Sequence, residues 1–275
     1  MTDQRTQPHA GGTSAGPLHP DPGIVAIAGD WHGNTRWALG QIRNAHEHGA
    51  TTIVHVGDFG FWTDCDQTTA YLGELDELLT DYGMWLLWVD GNHEDHARLA
   101  TLPVDPATGL RPITARIHHL PRGFRWTWHG RDWMALGGAH SVDRAQRCEG
   151  VSWWPGEFLT PAEVEYACRD GNVDVMLCHD SPTRADVPVL RGPSSWPQYD
   201  LAASAQHRAL IQHVVDTVRP AVLWHGHYHC RYDDVITRPD GGTTVIRGLA
   251  EDGTWPQGNM ILLDLTAGAV GTSAQ

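Results

Sequence analysis

Ile53-Val54-His55-Val56-Gly57-Asp58-Phe59-Gly60 is an apolar, β-branched run that stops at Gly-Asp and then at another glycine. Runs of this length read as buried strands, with glycine marking the stop. The pattern places the Asp58 carboxylate at the C-terminal edge of a parallel sheet, where α/β folds keep their sites. The same ending recurs as Ile24-Val25-Ala26-Ile27-Ala28-Gly29-Asp30-Trp31-His32-Gly33 and as Trp85-Leu86-Leu87-Trp88-Val89-Asp90-Gly91-Asn92-His93-Glu94. Two further apolar runs, 173–180 and 221–229, end in histidine, at His179 and at His225, His227 and His229. Five strands that deliver Asp, His and Asn to one edge point to a metal site centred on Asp58.

The segments between these strands have helical periodicity. Asn34 can cap a helix reaching about residue 48, with Ala38, Ile42 and Ala45 as its buried stripe. Tyr71, Leu75, Leu78, Leu79 and Tyr82 mark a second helix over about 67–82. Alternation of strands and helices implies right-handed crossovers and parallel pairing. From 113 to 137 the segments shorten between Pro and Gly, as in hairpins. A short helix is expected near 160–169, where Thr160 and Glu163 form a capping-box pattern. Another is expected over about 204–218, with strands closing the chain. Two sheets packed face to face with helices outside is the simplest α/β assembly. Residues 1–23, rich in Pro, Gly, Thr and His, read as a disordered tail, and 24–275 as one domain.

Composition narrows the function classes. The 275 residues carry a formal charge of −14, which disfavours a nonspecific nucleic-acid or membrane-surface binder. All 19 cationic residues are arginine, which excludes lysine Schiff bases and the phosphate-loop lysine. Five cysteines with no C-x-x-C pair do not form a disulfide framework, and a reducing cytoplasm is the expected setting. No apolar run has the length of a membrane span, and no signal-peptide core is expected at the N-terminus.

Read together, Gly29-Asp30-Trp31-His32-Gly33, Gly57-Asp58, Gly91-Asn92-His93-Glu94, His179 and Gly226-His227-Tyr228-His229 form an ordered set that resembles the calcineurin-like metallophosphoesterase superfamily. The resemblance implies a four-layer αββα sandwich with two metal ions at one edge. Asp30, His32, Asp58 and His229 would hold one ion, and Asp58, Asn92, His179 and His227 the other, with Asp58 bridging. Carboxylate, imidazole and amide oxygen suit divalent Mn, Fe or Zn. The implied activity is hydrolysis of phosphate esters by a hydroxide lying between the metals. His93, beside a ligand without being one, would protonate the leaving oxygen or stabilise charge there. Each residue alone has a plainer reading: Asp30 and His32 as helix-start residues, Asn92 as a turn, His179 as a core histidine. Five blocks in order, each at a strand end, outweigh those readings. His55 and His225 fall outside the pattern and read as packing residues.

The chain departs from the protein-phosphatase branch of that superfamily, where Asp-Arg-Gly follows the second Gly-Asp. Gly60-Phe61-Trp62 stands there instead, so a carboxylate to orient His93 and a phosphate-binding arginine are both missing from that place. Asp64 and Asp95 are the nearby acids in position to replace the first. The Gly-His-x-His ending is more similar to the bacterial and phage branches. The segment from Gly137 to Arg147, with Ser152-Trp153-Trp154-Pro155 beyond it, is the expected substrate-recognition element, with His140, Arg144, Arg147 and Trp154 as its candidates. Guanidinium groups bind phosphate bidentately, and indoles stack bases or clamp a loop. The expected substrate is a small phosphate ester, phosphodiester or nucleotide ahead of monoester, with no membrane partner. A non-catalytic binding protein on the same fold is the alternative.

Overall fold

The computed structural model describes residues 20–267. They form two six-stranded sheets. In the first, β1 (Ile24–Ala28), β2 (Thr52–His55), β3 (Trp85–Trp88) and β5 (Ile117–His119) run parallel. β12 (Met260–Asp264) joins antiparallel beside β1, and β4 (Arg111–Pro112) beside β5. In the second, β7 (Arg131–Leu136), β8 (Val175–Cys178), β9 (Val222–His225) and β11 (Thr243–Gly248) are parallel. Antiparallel β6 (Arg125–Trp128) and β10 (Tyr232–Thr237) close the two edges.

Alternation along the strands sorts the side chains into three apolar layers. Val25, Ile27, Val54 and Leu87 meet Trp133, Ala135, Val175, Leu177 and Trp224 between the sheets. The opposite face of the first sheet, with Ala26, Ile53, Leu86 and Trp88, packs on α1 (Thr35–Glu47) and α2 (Asp66–Asp81) through Ala38, Ile42, Tyr71, Leu75 and Leu79. On the second sheet, Met134, Met176 and Leu223 are covered by α4 (Pro161–Cys168) and α5 (Gln198–Val218) through Val164, Ala167, Ile211 and Val215. The order is helix, sheet, sheet, helix. Burial on both faces is why the central strands read as continuous apolar runs.

The caps agree with the sequence. Asn34 accepts from the Trp37 amide, and Thr160 and Glu163 form the reciprocal box. Four features differ from the expectation. α3 (His96–Thr101), capped by Asp95, was not expected, because its six residues offer no full apolar period. α5 begins six residues before residue 204, in a polar stretch after Pro197. β5 pairs in parallel with β3 as well as antiparallel with β4, so the middle of the chain is not all hairpins. The disordered-tail reading lies outside the described residues for 1–19, but Asp21 and Pro22 are bonded to His129 at 2.8 and 3.1 Å.

Leu177 lies at the centre of the inter-sheet layer and is fully buried. Leu177→Ala should cost about 2–5 kcal/mol in urea unfolding with an unchanged slope. A loss below about 1 kcal/mol would show that this layer relaxes into the gap and is not close-packed.

Candidate metal centre

The C-terminal ends of β1, β2, β3, β8 and β9 meet at one edge, and there the structure gathers all seven residues expected as ligands. Asp58 is at the middle and almost wholly buried. Its Oδ2 has His179 Nε2 at 3.4 Å, His32 Nε2 at 3.6 Å and His93 Nε2 at 3.7 Å. Oδ1 accepts from the His93 amide at 2.9 Å, whereas Oδ2 is buried with no hydrogen-bond partner. Asp30 Oδ2 lies 3.2 Å from His229 Nε2, and the Asp30 carboxylate also accepts from the His227 amide. The Asn92 Oδ1 faces His179 Nε2 at 3.1 Å, and the His179 and His227 rings are 5.0 Å apart.

Single donor atoms of Asp30, His32, Asp58 and His229 all lie within 4.8 Å of one another. That quartet is the first of the two expected ligand sets. Asp58, Asn92, His179 and His227 border it as the second. A buried carboxylate oxygen without a hydrogen bond is costly, and here it is ringed by three imidazole nitrogens at 3.4, 3.6 and 3.7 Å. The residues therefore fit divalent cations with nitrogen and oxygen ligands.

The backbone supports the same reading. Among the described residues, six non-glycine residues have positive φ, and four of them are His32, Asp58, His227 and His229. Such strain collects where a site over-determines the chain. Close approach demands glycine at two neighbours: a Cβ on Gly91 would strike the Asp58 carboxylate, and one on Gly226 would strike Asp30.

The outer nitrogens of the imidazoles are held as metal-binding histidines require. His32 Nδ1 meets Asp252 at 2.9 Å, His229 Nδ1 meets Glu251 at 3.0 Å, and His179 Nδ1 donates to the Val56 carbonyl at 2.9 Å. Each Nε2 is thereby turned inward. Glu251 and Asp252 escaped the sequence reading, although an acidic pair directly after the apolar run of β11 was a visible signal. Glu94 is not a ligand: its buried carboxylate accepts from the Gly60 and Gly91 amides and ties two site turns together. Burial and neighbouring Asp58 push it up to about 8.

Burial alone would lower the imidazoles. For His179 and His32 the carboxylates of Asp58 and Asp30 outweigh it and push both up to about 10. Burial alone would raise Asp58, but the His179 charge and the contacts from His179 and His32 hold it well below the usual carboxylate range. His227, deeply buried, is pushed down to about 3 and stays neutral.

Above this edge is a cavity of about 340 Å³ lined by His32, Trp62, His93, Arg147, Val151, Ser152 and Trp154. Of the four substrate candidates, Arg147 and Trp154 line it. His140 does not. It is buried, with Nε2 at 3.2 Å from Asp200 and Nδ1 at 3.5 Å from Glu157. Nor does Arg144, whose guanidinium lies 4.2 Å over the Trp153 ring, a packing contact that the Arg-Trp composition alone could not tell from a recognition pair. Trp62, standing where Asp-Arg-Gly was missing, is a lining residue the sequence reading overlooked. Asp95 caps α3 and Asp64 lies 3.5 Å from Arg98, so neither orients His93. His93 Nε2 instead accepts from Arg147 Nη2 at 3.3 Å and from Asn92 Nδ2 at 3.2 Å. Arg147 is clamped by Asp143 at 2.6 and 2.7 Å.

No protein-family model matches this sequence, and no curated protein matches it. Solved structures do match. A dimetal phosphatase from Danio rerio is 11% identical, with a TM-score of 0.52 over 88% of this chain and 92% of that one. The chain has the metallophosphoesterase fold. Two further likenesses have lower TM-scores. The protein TT1561 of Thermus thermophilus is 14% identical, at a TM-score of 0.49 over 90% of this chain and 96% of that one. A purple acid phosphatase from yellow lupin is 15% identical, at 0.38 over 84% and 44%. The metallophosphoesterase sandwich accounts for the two sheets and for the edge where their strands end.

Protons on His32 and His179 must leave before those rings can ligate. The site carboxylates raise both, from 6.5 to about 10. Their contribution to stability is thus complete below about pH 6.5 and is lost as pH rises toward 10. Affinity for Mn should accordingly rise between pH 6.5 and 8, with protons released on binding. Calorimetry in buffers of different ionisation enthalpy would count them. An affinity indifferent to pH would exclude these imidazoles as donors.

Proposed function

We propose that the protein is a dinuclear metal-dependent phosphoesterase, with Asp30, His32, Asp58 and His229 holding one ion and Asp58, Asn92, His179 and His227 the other. The observation that carries this reading is the unpartnered, buried Oδ2 of Asp58 among inward-facing imidazoles. When bound, the ions would supply a water of lowered pKa and neutralise charge on phosphoryl oxygens. Mn, Fe and Zn all suit the donor set. The five cysteines are free, which suits a reducing compartment such as the cytoplasm. Among the described residues no helix is long and apolar enough to cross a membrane. Preference for a binding protein without catalysis finds no support in a complete ligand set with His93 beside it.

The cavity supports the finer reading of a phosphodiester or nucleotide substrate. Arg147 offers the guanidinium that the missing Asp-Arg-Gly would have provided, now from a different segment. Trp62 and Trp154 present indole surface to the same cavity, suited to a planar group esterified to the phosphate. His93 receives two hydrogen bonds at Nε2, so the ring is neutral and protonated at Nδ1. Burial lowers its pKa, and Arg147 adds to that against the pull of Asp58. To donate a proton to a leaving oxygen from Nε2, the ring must first take up a proton there and lose its bonds from Arg147 and Asn92.

Metal analysis after loading with Mn should give two ions per chain, and a stoichiometry fixed at one under saturation would remove the bridging role of Asp58. His93→Ala should keep both ions and lower turnover on the order of 10²–10⁴-fold for alkyl esters, with a smaller deficit for p-nitrophenyl esters. Equal losses for both leaving groups would assign His93 to charge stabilisation.

Arg147→Ala and Trp62→Ala should each raise the Michaelis constant for bis-p-nitrophenyl phosphate and nucleotides roughly tenfold, in line with about 1–3 kcal/mol for a stacked ring. If neither variant changes it for any hydrolysed ester, the cavity does not take the substrate and the diester preference falls.

A further inference from the structure

A buried chain of polar groups runs from α5 to the second expected ligand set. Asp200, in the first turn of α5, meets His140 Nε2 at 3.2 Å, and His140 Nδ1 lies 3.5 Å from Glu157 Oε1. Glu157 is almost wholly buried. Its Oε1 accepts from the Ser141 amide at 2.9 Å, and its Oε2 from the Ser141 hydroxyl at 2.5 Å. Ser141 Oγ in turn accepts from Asn92 Nδ2 at 3.1 Å.

The direction of these bonds follows from the inventory of donors. A carboxylate only accepts, so the single hydroxyl proton of Ser141 is committed to Glu157. Ser141 Oγ can then only accept, and it selects the amide nitrogen of Asn92. The other Nδ2 proton goes to His93 Nε2, which Arg147 shows to be an acceptor. With both amide protons placed, Oδ1 has one direction left, toward His179 Nε2. An Asn side chain is nearly symmetric in shape, so the hydrogen-bond network is what pre-sets which end faces an arriving cation.

We propose that Glu157 is a positioning residue that fixes the Asn92 amide through Ser141, so that its oxygen and not its nitrogen faces the second metal position. The inference rests on the dinuclear reading given above. Neighbours of a ligand that orient it are worth about 10–100-fold in metal affinity. Glu157→Gln keeps the shape but supplies an NH₂ that can donate to Ser141 Oγ. Ser141 can then donate to Asn92 Oδ1, and the amide is free to turn.

The test is a two-step Mn titration of the full-length chain by calorimetry, with Mn–Mn coupling read by electron paramagnetic resonance. It is run near pH 8, because burial pushes Glu157 up to about 7. E157Q should bind the first ion as the wild type does and the second 10–100-fold more weakly, with the coupled signal reduced to match. Ser141→Ala, which also serves if E157Q does not fold, should weaken the second step about tenfold, because Nδ2 loses the acceptor that selects it. In the S141A background, E157Q should add nothing. Additive losses, or an unchanged second step in either single variant, would overturn the role of Glu157 while leaving two ions in the wild type. Fewer than two ions in the wild type would overturn the dinuclear reading and this inference together.

Discussion

Oδ2 of Asp58 is a carboxylate oxygen taken out of water and given no hydrogen bond. Burying a charge that way costs several kcal/mol unless something positive is brought to it. Three imidazole nitrogens stand within 3.7 Å, yet two of them are directed by bonds on their far side and one accepts from Arg147. The charge is thus offset by protons on His32 and His179, which a bound cation would displace, instead of by a permanently charged side chain. Strained backbone at four of the expected ligand positions and the missing Cβ atoms of Gly91 and Gly226 serve the same convergence. Such an arrangement keeps its shape because the strands that lead into it are locked into three apolar layers.

The edge divides into a part the sheets dictate and a part they do not. Asp30, Asp58, Asn92, His179 and His227 follow β1, β2, β3, β8 and β9 within a few residues, so sheet register sets their spacing. Arg147 and Trp154 come from the long connection between β7 and α4, which has no strand to fix it. Its position is secured by polar ties: Asp143 to Arg147, Ser141 to Glu157, and Glu157 toward His140. From these ties Arg147 bonds onward to His93 and Ser141 to Asn92, both at the site edge. The wall of the cavity and the expected ligands at its floor are therefore mechanically joined.

That division also explains what could be read from the sequence. Strand-end motifs are local: an apolar run, a glycine and a ligand are neighbours in the chain, and the fold adds only their convergence. The helix caps at Asn34 and Thr160 were legible for the same reason. His140 was misplaced because a histidine in a glycine-rich loop carries no mark of whether Asp200, 60 residues later, will bury it. Trp62 was noticed only as a replacement, since nothing local shows that its ring would cover Gly33 and line the cavity. Glu251 and Asp252 support histidines more than 20 and 200 residues away, respectively. Contacts at such range are tertiary facts, and periodicity does not contain them.

Arg147 sits where these two parts meet. Its guanidinium already spends two nitrogens on Asp143, one contact on the Ser152 carbonyl and one on His93 Nε2. On the proposed reading, a phosphoryl oxygen entering the cavity competes with His93 and not with Asp143, because the doubly bonded carboxylate pair is the stronger partner. The atom released is His93 Nε2, which then has only the Asn92 amide beside it and regains the pull of Asp58 toward protonation. Substrate binding and the readiness of His93 would in this way be linked through one side chain. On the same reading, an arginine anchored by its own aspartate stands in for the one missing directly after the second Gly-Asp.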